Sequence, residues 1–163
     1  MDPISIGTEV ADFEAQSTGN KTVKLSDYRG HYVLIYFYPK DNTPGCTLEG
    51  QAFRDAHPQF TALNAVILGV SRDSVRVHEG FKGKQALPFD LLSDAEEQLC
   101  ALFDVIKMKT LYGKQVRGIE RSTFLIDPQG VLIRAWRKVK VKNHCAEVLD
   151  ALTVAANNIP AGA

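Results

Sequence analysis

Apolar residues in this chain occur as short continuous runs and as longer stretches with helical spacing. The run from Tyr32 to Tyr38 is aliphatic or aromatic at every position and lies between Gly30 and Pro39. This pattern predicts a central strand that is buried on both faces. The run from Ala65 to Ser71 predicts a second buried strand.

Three other stretches have apolar residues at three- and four-residue steps, which predicts amphipathic helices. The first follows the central strand, and the dipeptide His57-Pro58 predicts a kink or a break in it. The second is EEQLCALFDVI, the third lies near the C-terminus, and the segment SVRVHEGFKGKQ is only weakly helical. The apolar stripes of the three helices are Leu48, Ala52, Ala56, Phe60 and Leu63; Leu99, Leu102, Phe103 and Ile106; and Val148, Leu149, Leu152 and Ala156.

The remaining segments predict further strands. Apolar and polar residues alternate around Val10 to Ala15, LPFDLLSD is extended, and RSTFLIDPQGVLIRAWR holds two strand-like runs around the turn Asp127-Pro128-Gln129-Gly130. The order of elements predicts an α/β domain with a mixed central sheet and helices on both faces, which a thioredoxin-like arrangement fits best. We expect residues 1–163 to form a single domain in which 157–163 are a loose tail.

Composition narrows the functional classes. The 163 residues are 45% hydrophobic and 23% charged, close to globular averages, and 19 basic residues balance 19 acidic ones. This neutral balance argues against a nucleic-acid or anionic-membrane partner. No apolar run is long enough for a membrane span, and the first ten residues lack the pattern of an export signal, so we expect a cytoplasmic protein.

The three cysteines, Cys46, Cys100 and Cys145, are widely spaced and form no CxxC pair. This spacing disfavours a disulfide framework, a zinc knuckle and a dithiol redox site. The four histidines also lie far apart in the sequence, and we expect neither a metal nor a cofactor.

The segment between the first buried strand and its helix holds the strongest candidate for chemistry. Thr43 followed by Pro44 predicts a helix start with a hydroxyl residue at the N-cap and proline at N1. Cys46 then lies at N3, among unpaired backbone N–H groups and at the positive end of the helix dipole, where a thiolate is stabilised. The alternatives are structural: Cys46 as a small buried hydrophobe, Thr43 as a cap alone and Glu49 as a favourable first-turn anion.

The segments YFYPKDNTPGCTLEG and GIERSTFLID, together with LSDYRG and VSRDS, resemble the peroxiredoxin family, in particular its peroxiredoxin Q or bacterioferritin comigratory protein branch. The resemblance extends from Gly7 to Leu152 in the family's order. The family's Pro-xxx-Thr-xx-Cys motif and its distant arginine match Pro39, Thr43, Cys46 and Arg121. The resemblance implies a thioredoxin-like fold and thiol-dependent reduction of hydrogen peroxide and organic hydroperoxides.

The same resemblance implies a role for each matched residue, and physical chemistry agrees with those roles. Cys46 attacks a peroxide oxygen and becomes a sulfenic acid. Arg121 stabilises the thiolate and the charge that develops on the departing oxygen. Thr43 Oγ1 accepts a hydrogen bond from the peroxide, and Pro39 shields the pocket from water. Taken alone, Arg121 is also explained as a surface arginine before a strand.

The chain departs from the branch because both usual positions of a resolving thiol are empty. Many members carry a second cysteine five residues after the first, where this chain has Gln51, and others carry it in the next helix, where GFKGKQ has none. Cys100 and Cys145 are interpreted as structural residues on apolar helix faces. We therefore expect a one-cysteine cycle in which glutathione, thioredoxin or glutaredoxin reaches Cys46 when the first helical turn unfolds locally. The branch also implies a monomer.

Two other functions stay open on the sequence. A peroxide sensor or redox-regulated holdase would use the same thiolate without efficient turnover. A thiol-disulfide oxidoreductase would use the same fold, although the missing CxxC pair makes it inefficient. The basic run from Arg134 to Lys142 either guides an acidic reductant or is a solvated strand edge.

Overall fold

The computed structural model describes residues 4–157, which contain nine strands and four α-helices. The strands are β1 Glu14–Ser17, β2 Lys21–Lys24, β3 Tyr32–Phe37, β4 Ala65–Ser71, β5 Asp90–Ser93, β6 Ile106–Leu111, β7 Lys114–Ile119, β8 Ser122–Ile126 and β9 Leu132–Trp136. The helices are α1 Pro44–Ala62, α2 Val75–Gln85, α3 Gln98–Leu102 and α4 His144–Asn157, and a 3₁₀ helix spans Leu25–Tyr28. None of the helices in this part of the chain is long and apolar enough to cross a membrane. The tail expected over 157–163 lies, apart from Asn157, outside the described residues.

Seven of the strands form one mixed sheet in the order β2-β1-β5-β4-β3-β8-β9. β3 pairs in parallel with β4 and antiparallel with β8, so it lies in the interior of the sheet, as its continuous apolar run predicts. β4 pairs in parallel with β5, and β8 and β9 form the predicted antiparallel hairpin. The predicted α/β fold with a mixed central sheet is therefore confirmed.

Each face of the sheet carries its own core. Val33, Ile35 and Phe37 of β3 belong to one core, to which the 3₁₀ helix and α3 also contribute. Leu34 and Tyr36 belong to the other core, together with residues of α1, α2 and α4. This division follows from the alternation of side chains along a strand, and it confirms that helices cover both faces.

The break predicted at His57-Pro58 is wrong, because α1 runs without interruption from Pro44 to Ala62. Phe53 and Phe60, on either side of Pro58, are both fully buried in the same core. Their packing stabilises the helix on both sides of the proline and compensates for the hydrogen bond that a proline cannot donate.

The helix predicted over EEQLCALFDVI is also wrong in extent, because α3 ends at Leu102 and Ile106 begins β6. The backbone at Asp104 has a φ of 54°, in the left-handed region. The N–H of Val105 donates to the Cys100 carbonyl at 3.0 Å, and the N–H of Asp104 donates to the Ala101 carbonyl at 3.2 Å. This pair of bonds is a Schellman motif, which ends the helix and turns the chain away.

The hairpin of β6 and β7 has no counterpart among the sequence predictions. Its two strands pair only with each other, and most of their side chains are exposed on both faces. Its turn residues Tyr112 and Gly113 both have positive φ, of 52° and 78°, as a type I′ turn requires. Residues Ile106 to Lys109 alternate apolar and polar side chains, as a strand does, but the sequence prediction assigned Ile106 to the apolar stripe of a helix.

Candidate active site

The loop between β3 and α1 places the predicted site at one edge of the sheet. Pro39, Thr43 and Cys46 follow the carboxyl end of β3, which is the position where open α/β sheets bind ligands. Antiparallel β8 begins at the same edge, since Ser122 pairs with Phe37. This pairing brings the residue before β8, Arg121, to a cysteine that lies 75 positions earlier in the chain.

The start of α1 has the predicted geometry, with Thr43 at the N-cap, Pro44 at N1 and Cys46 at N3. The first backbone hydrogen bond of the helix runs from the Thr47 N–H to the Thr43 carbonyl, at 2.9 Å. The amides of Gly45 and Cys46 precede it, and none of the described residues accepts a hydrogen bond from them. Both amides are therefore donors available to a bound ligand.

The Thr43 hydroxyl does not cap α1, so the interpretation of its side chain as a cap is wrong. It donates instead to the Lys40 carbonyl at 2.7 Å. A hydroxyl has acceptor lone pairs besides its single hydrogen, so Thr43 Oγ1 can still accept a hydrogen bond from a ligand.

Arg121 connects the thiol of Cys46 to the carboxylate of Glu49. Its Nη2 donates to Cys46 Sγ at 3.4 Å, and its Nη1 donates to Glu49 Oε1 at 2.6 Å. Cys46 and Glu49 are three residues apart and lie on the same face of α1, where each is only 2% exposed. The guanidinium comes close because Gly45 has no side chain: a Cβ there would lie 3.2 Å from Arg121 Nη2.

Glu49 is a buried partner of Arg121, and its interpretation as a first-turn anion is wrong. Burial raises the pKa of Glu49 to about 7, although the positive charge of Arg121 acts in the opposite direction. Its second oxygen, Oε2, is buried and has no hydrogen-bond partner among the described residues. The site therefore holds a carboxyl group that changes its charge near neutral pH.

Neither of the other two cysteines forms a disulfide with Cys46. Cys100 is fully buried in the core on the opposite face of the sheet, and burial together with the neighbouring Asp94 raises the pKa of its thiol. Cys145 is half-buried on α4, and burial raises the pKa of its thiol to about 11. Its Sγ lies 3.5 Å from the carbonyl of Ala52. Ala52 is six residues beyond Cys46, which is about 9 Å along the helix axis.

Three groups that could hold a metal ion lie together at the loop between β3 and α1, and sequence reasoning missed them. Asp41, Asp73 and His78 place one potential ligand atom each within 4.8 Å of one another. Sequence reasoning considered spacing between histidines alone. The available signal was that Asp41 follows β3 and Asp73 follows β4, because parallel neighbouring strands end at the same edge of a sheet. The absence of a metal stays a prediction.

Two arginines of the basic run from Arg134 to Lys142 contact other residues of the fold. Arg134 on the edge strand β9 stacks over the Trp136 ring, at 4.9 Å from its centroid. Arg137 donates to the carbonyls of Phe103 and Asp104, both at 2.9 Å, just beyond the end of α3. These contacts stabilise the fold, and a role of the basic run in guiding an acidic reductant stays a prediction.

Residues 6–135 match the AhpC/TSA family. This chain belongs to the AhpC/TSA family. It is 56% identical to peroxiredoxin Bcp of Bacillus subtilis, over 91% of this chain and 95% of that relative. It is 54% identical to peroxiredoxin Bcp of Xanthomonas campestris, over 86% of this chain and 88% of that relative. The expected peroxiredoxin Q/Bcp branch is confirmed, and this family member is a peroxiredoxin, a thiol-dependent peroxidase.

Solved structures of AhpC/TSA relatives have the same fold. The bacterioferritin comigratory protein of Xanthomonas campestris matches with a TM-score of 0.87 and 50% identity, over 94% of this chain and 98% of that chain. A mutant of PrxQ from Xylella fastidiosa matches with a TM-score of 0.90 and 46% identity, over 96% of this chain and 99% of that chain. The thioredoxin-like arrangement predicted for this family member is thereby confirmed.

Proposed function

We propose that this peroxiredoxin reduces hydrogen peroxide and organic hydroperoxides with Cys46 as its nucleophile. The observation that supports this most strongly is the Arg121 side chain, which contacts Cys46 Sγ at 3.4 Å while Glu49 anchors its other nitrogen. The Xanthomonas campestris relative was solved as trapped intermediate and ligand complexes in a study of its alkyl peroxide reduction activity. We extend that substrate class to this chain.

In the first step, the Cys46 thiolate attacks one oxygen of the peroxide in line with the O–O bond. An S–O bond forms, the O–O bond breaks, and two electrons pass from sulfur to the peroxide. The departing oxygen leaves as hydroxide or alkoxide and takes a proton from solvent, so the product on the enzyme is a sulfenic acid. Arg121, which stays charged, stabilises the thiolate beforehand and then the negative charge on the departing oxygen.

The start of α1 orients the peroxide for this attack. Thr43 Oγ1 accepts the peroxide O–H, since its own hydrogen is directed to the Lys40 carbonyl. The free amides of Gly45 and Cys46 donate to the peroxide oxygens. Pro39 is half-buried at the entrance and limits the access of water.

We infer a one-cysteine cycle for this enzyme. At the junction of α1 and α2, where the branch carries its resolving cysteines, Gln51 Nε2 donates to Gln85 Oε1 at 2.9 Å and Arg54 donates to the Gln85 carbonyl at 2.9 Å. Because these positions hold no thiol, an external thiol attacks the sulfenic sulfur, releases water and forms a mixed disulfide. A second thiol then reduces that disulfide and restores Cys46. Glutathione, glutaredoxin and thioredoxin are the proposed reductants, acting on a monomer in the cytoplasm.

The direct test is the intact mass of reduced protein after about one equivalent of hydrogen peroxide, with dimedone as a trap for sulfenic acid. We expect a single dimedone adduct on the wild type and none on Cys46→Ser. An unreactive wild type would overturn the proposed nucleophile. Loss of two hydrogens without an adduct would show that Cys100 or Cys145 resolves and would overturn the one-cysteine cycle.

Turnover separates the peroxidase from a sensor or a holdase. We expect continued consumption of peroxide in the presence of a thiol reductant, with many equivalents reduced per enzyme. Consumption that stops after one equivalent with glutathione, glutaredoxin and thioredoxin alike would favour a sensor.

A further inference from the structure

The loop of residues 38–43, here called the β3–α1 loop, is attached to the fold by a buried network that the proposed chemistry does not use. The side chains of Asp41 and His78 are fully enclosed. Asp41 Oδ2 lies 2.6 Å from His78 Nδ1, and Asp41 Oδ1 accepts a hydrogen bond from the Tyr38 hydroxyl at 2.6 Å. Both oxygens of a buried carboxylate are thus occupied within the loop and by one residue of α2.

The network extends from the loop to three other segments. His78 lies in α2, and its Nε2 donates to the Leu92 carbonyl of β5 at 2.9 Å. The Asp41 N–H donates to Asp73 Oδ2 at 2.8 Å, and the same oxygen accepts the hydroxyl of Ser71 at 2.6 Å. The loop is therefore tied to α2, to β5 and to the segment after β4.

The hydrogen bonds of this network require both Asp41 and His78. Because a carbonyl cannot donate, Nε2 of His78 must carry the hydrogen that bonds Leu92. The contact between His78 Nδ1 and Asp41 Oδ2 then requires one further proton between a ring nitrogen and a carboxylate oxygen. If either residue is lost, the other is left buried without its partner, which is a large penalty for a polar group.

We propose that His78 is a positioning residue of the active site, which acts through Asp41 to hold the β3–α1 loop in the arrangement that attacks a peroxide. This inference rests on the proposed role of Cys46. Asp41 is two residues before Thr43, and Cys46 is only 2% exposed while the loop is held. A small peroxide enters this arrangement, whereas a larger reagent reaches Cys46 only after the loop opens. Removing the network therefore changes the two reactions in opposite directions.

Four variants test the inference. His78→Phe and Asp41→Ala each remove the central hydrogen bond. Asp41→Asn keeps it, because the Asn amide donates to Nδ1 of a neutral imidazole and its carbonyl oxygen accepts from Tyr38. The matched control is Asp127→Ala, which removes a carboxylate that accepts two backbone N–H bonds at the opposite edge of the sheet.

Two rates are measured on each reduced variant in a Cys100→Ser, Cys145→Ser background. The first is the oxidation of Cys46 by hydrogen peroxide in stopped flow, and the second is the alkylation of Cys46 by N-ethylmaleimide. We expect His78→Phe and Asp41→Ala to slow oxidation roughly 10- to 100-fold and to accelerate alkylation by a similar factor. We expect Asp41→Asn and Asp127→Ala to stay within about threefold of the parent in both rates.

The combination of outcomes separates this inference from the proposed function. If the parent fails to react with peroxide, the proposed function is overturned, while alkylation still measures whether His78 and Asp41 hold the loop. If His78→Phe and Asp41→Ala fold and keep both parent rates, the positioning role is wrong. It is equally wrong if Asp127→Ala changes both rates as much as they do, because a general loss of stability would then explain the effect.

Discussion

The helices α1 and α3 both begin with a cysteine at position N3, yet the two thiols have opposite surroundings. At the start of α1, the amides of Gly45 and Cys46 are free and a guanidinium lies 3.4 Å from the sulfur. At the start of α3, the Asp94 carboxylate accepts the N–H of Leu99 at 3.0 Å and the N–H of Cys100 at 2.8 Å. The same helical position is thus open to an anion in one case and already filled by one in the other.

This difference shows that a helix N-terminus does not by itself produce a reactive cysteine. Burial and the charge of Asp94 raise the pKa of the Cys100 thiol, so it stays protonated and inert. Cys46 is almost as deeply buried, but the Arg121 guanidinium lies 3.4 Å from its sulfur and the N–H donors of the helix start are available. The charge and the free donors around the first turn decide the chemistry.

Of the substitutions considered, Arg121→Lys is expected to lower the reactivity of Cys46 the most. An ammonium group cannot reach both Cys46 and Glu49 as the planar guanidinium does, and its charge moves away from the sulfur. We expect oxidation of Cys46 by peroxide to slow roughly 10²- to 10³-fold, measured in stopped flow. Arg117→Lys, at an arginine that pairs with Glu97 on the exposed hairpin, is the control and should react at the wild-type rate. Full activity in Arg121→Lys would show that the charge of Arg121 does not explain why Cys46 is reactive and Cys100 is inert.

A second prediction concerns the pH dependence that Glu49 adds to the site. Its pKa rises from 4.5 in the unfolded chain to about 7 in the fold. Between these values the unfolded chain releases a proton that the folded protein keeps. The contribution of Glu49 to stability is therefore fully present below about pH 4.5 and is lost as pH rises through about 7, by on the order of 3 kcal/mol at most.

Glu49→Gln should remove this loss, as measured by urea unfolding at about pH 5 and about pH 8. The control is Glu97→Gln, because the hydrogen bond from Arg117 lowers the pKa of Glu97 to about 2. The contribution of Glu97 to stability therefore changes with pH only in the acid range, below the two pH values compared. Burial lowers the pKa of His144 to about 4, which makes stability rise over part of the same range in both proteins. The readout is therefore the difference in stability between the wild type and Glu49→Gln, and a difference that is the same at both pH values would contradict a raised pKa at Glu49.

A third variant makes the start of α1 resemble the start of α3. In Thr43→Asp, a carboxylate at the N-cap accepts the free amides near Cys46 and adds a negative charge beside the thiol. We expect alkylation and oxidation of Cys46 to slow roughly tenfold relative to Thr43→Asn, which offers the same cap without the charge. Both rates come from stopped flow, and equal rates in the two variants would show that the added charge does not matter.

The smallest effect is expected from Asp94→Asn, which weakens the anion at the start of α3. The amide accepts hydrogen bonds less strongly than the carboxylate, so the free energy of unfolding should fall by about 1 kcal/mol in urea titrations. Peroxide oxidation of Cys46 should not change. A fall in that rate would mean that the two helix starts are coupled.

The parts of the molecule that the sequence predicts correctly are those with local signals. The buried strands follow from their continuous apolar runs, and the start of α1 follows from Thr43 and Pro44. The match of Arg121 came from the family resemblance, since no local pattern relates it to a cysteine so far away in the chain. The contact itself depends on the pairing of β8 with β3.

The features that the sequence did not predict depend on tertiary packing. Glu49 looks like a surface residue in sequence and becomes a buried partner of Arg121 only when β8 pairs with β3. His78 is a single histidine in a weakly helical segment, and its partner Asp41 lies 37 residues away. The end of α3 depends on a left-handed Asp104, which is a residue type that also occurs within helices.

Because the sheet separates Cys46 from Cys100, a disulfide between these two cysteines is a chemical marker of unfolding. The two cysteines belong to cores on opposite faces, so their sulfur atoms meet only after the seven strands have come apart. A disulfide between them is therefore not a product of turnover in the folded enzyme. Its slow accumulation in a sample kept under mild oxidation reports transient unfolding. When refolding is faster than oxidation, the rate of accumulation follows the equilibrium population of the unfolded chain.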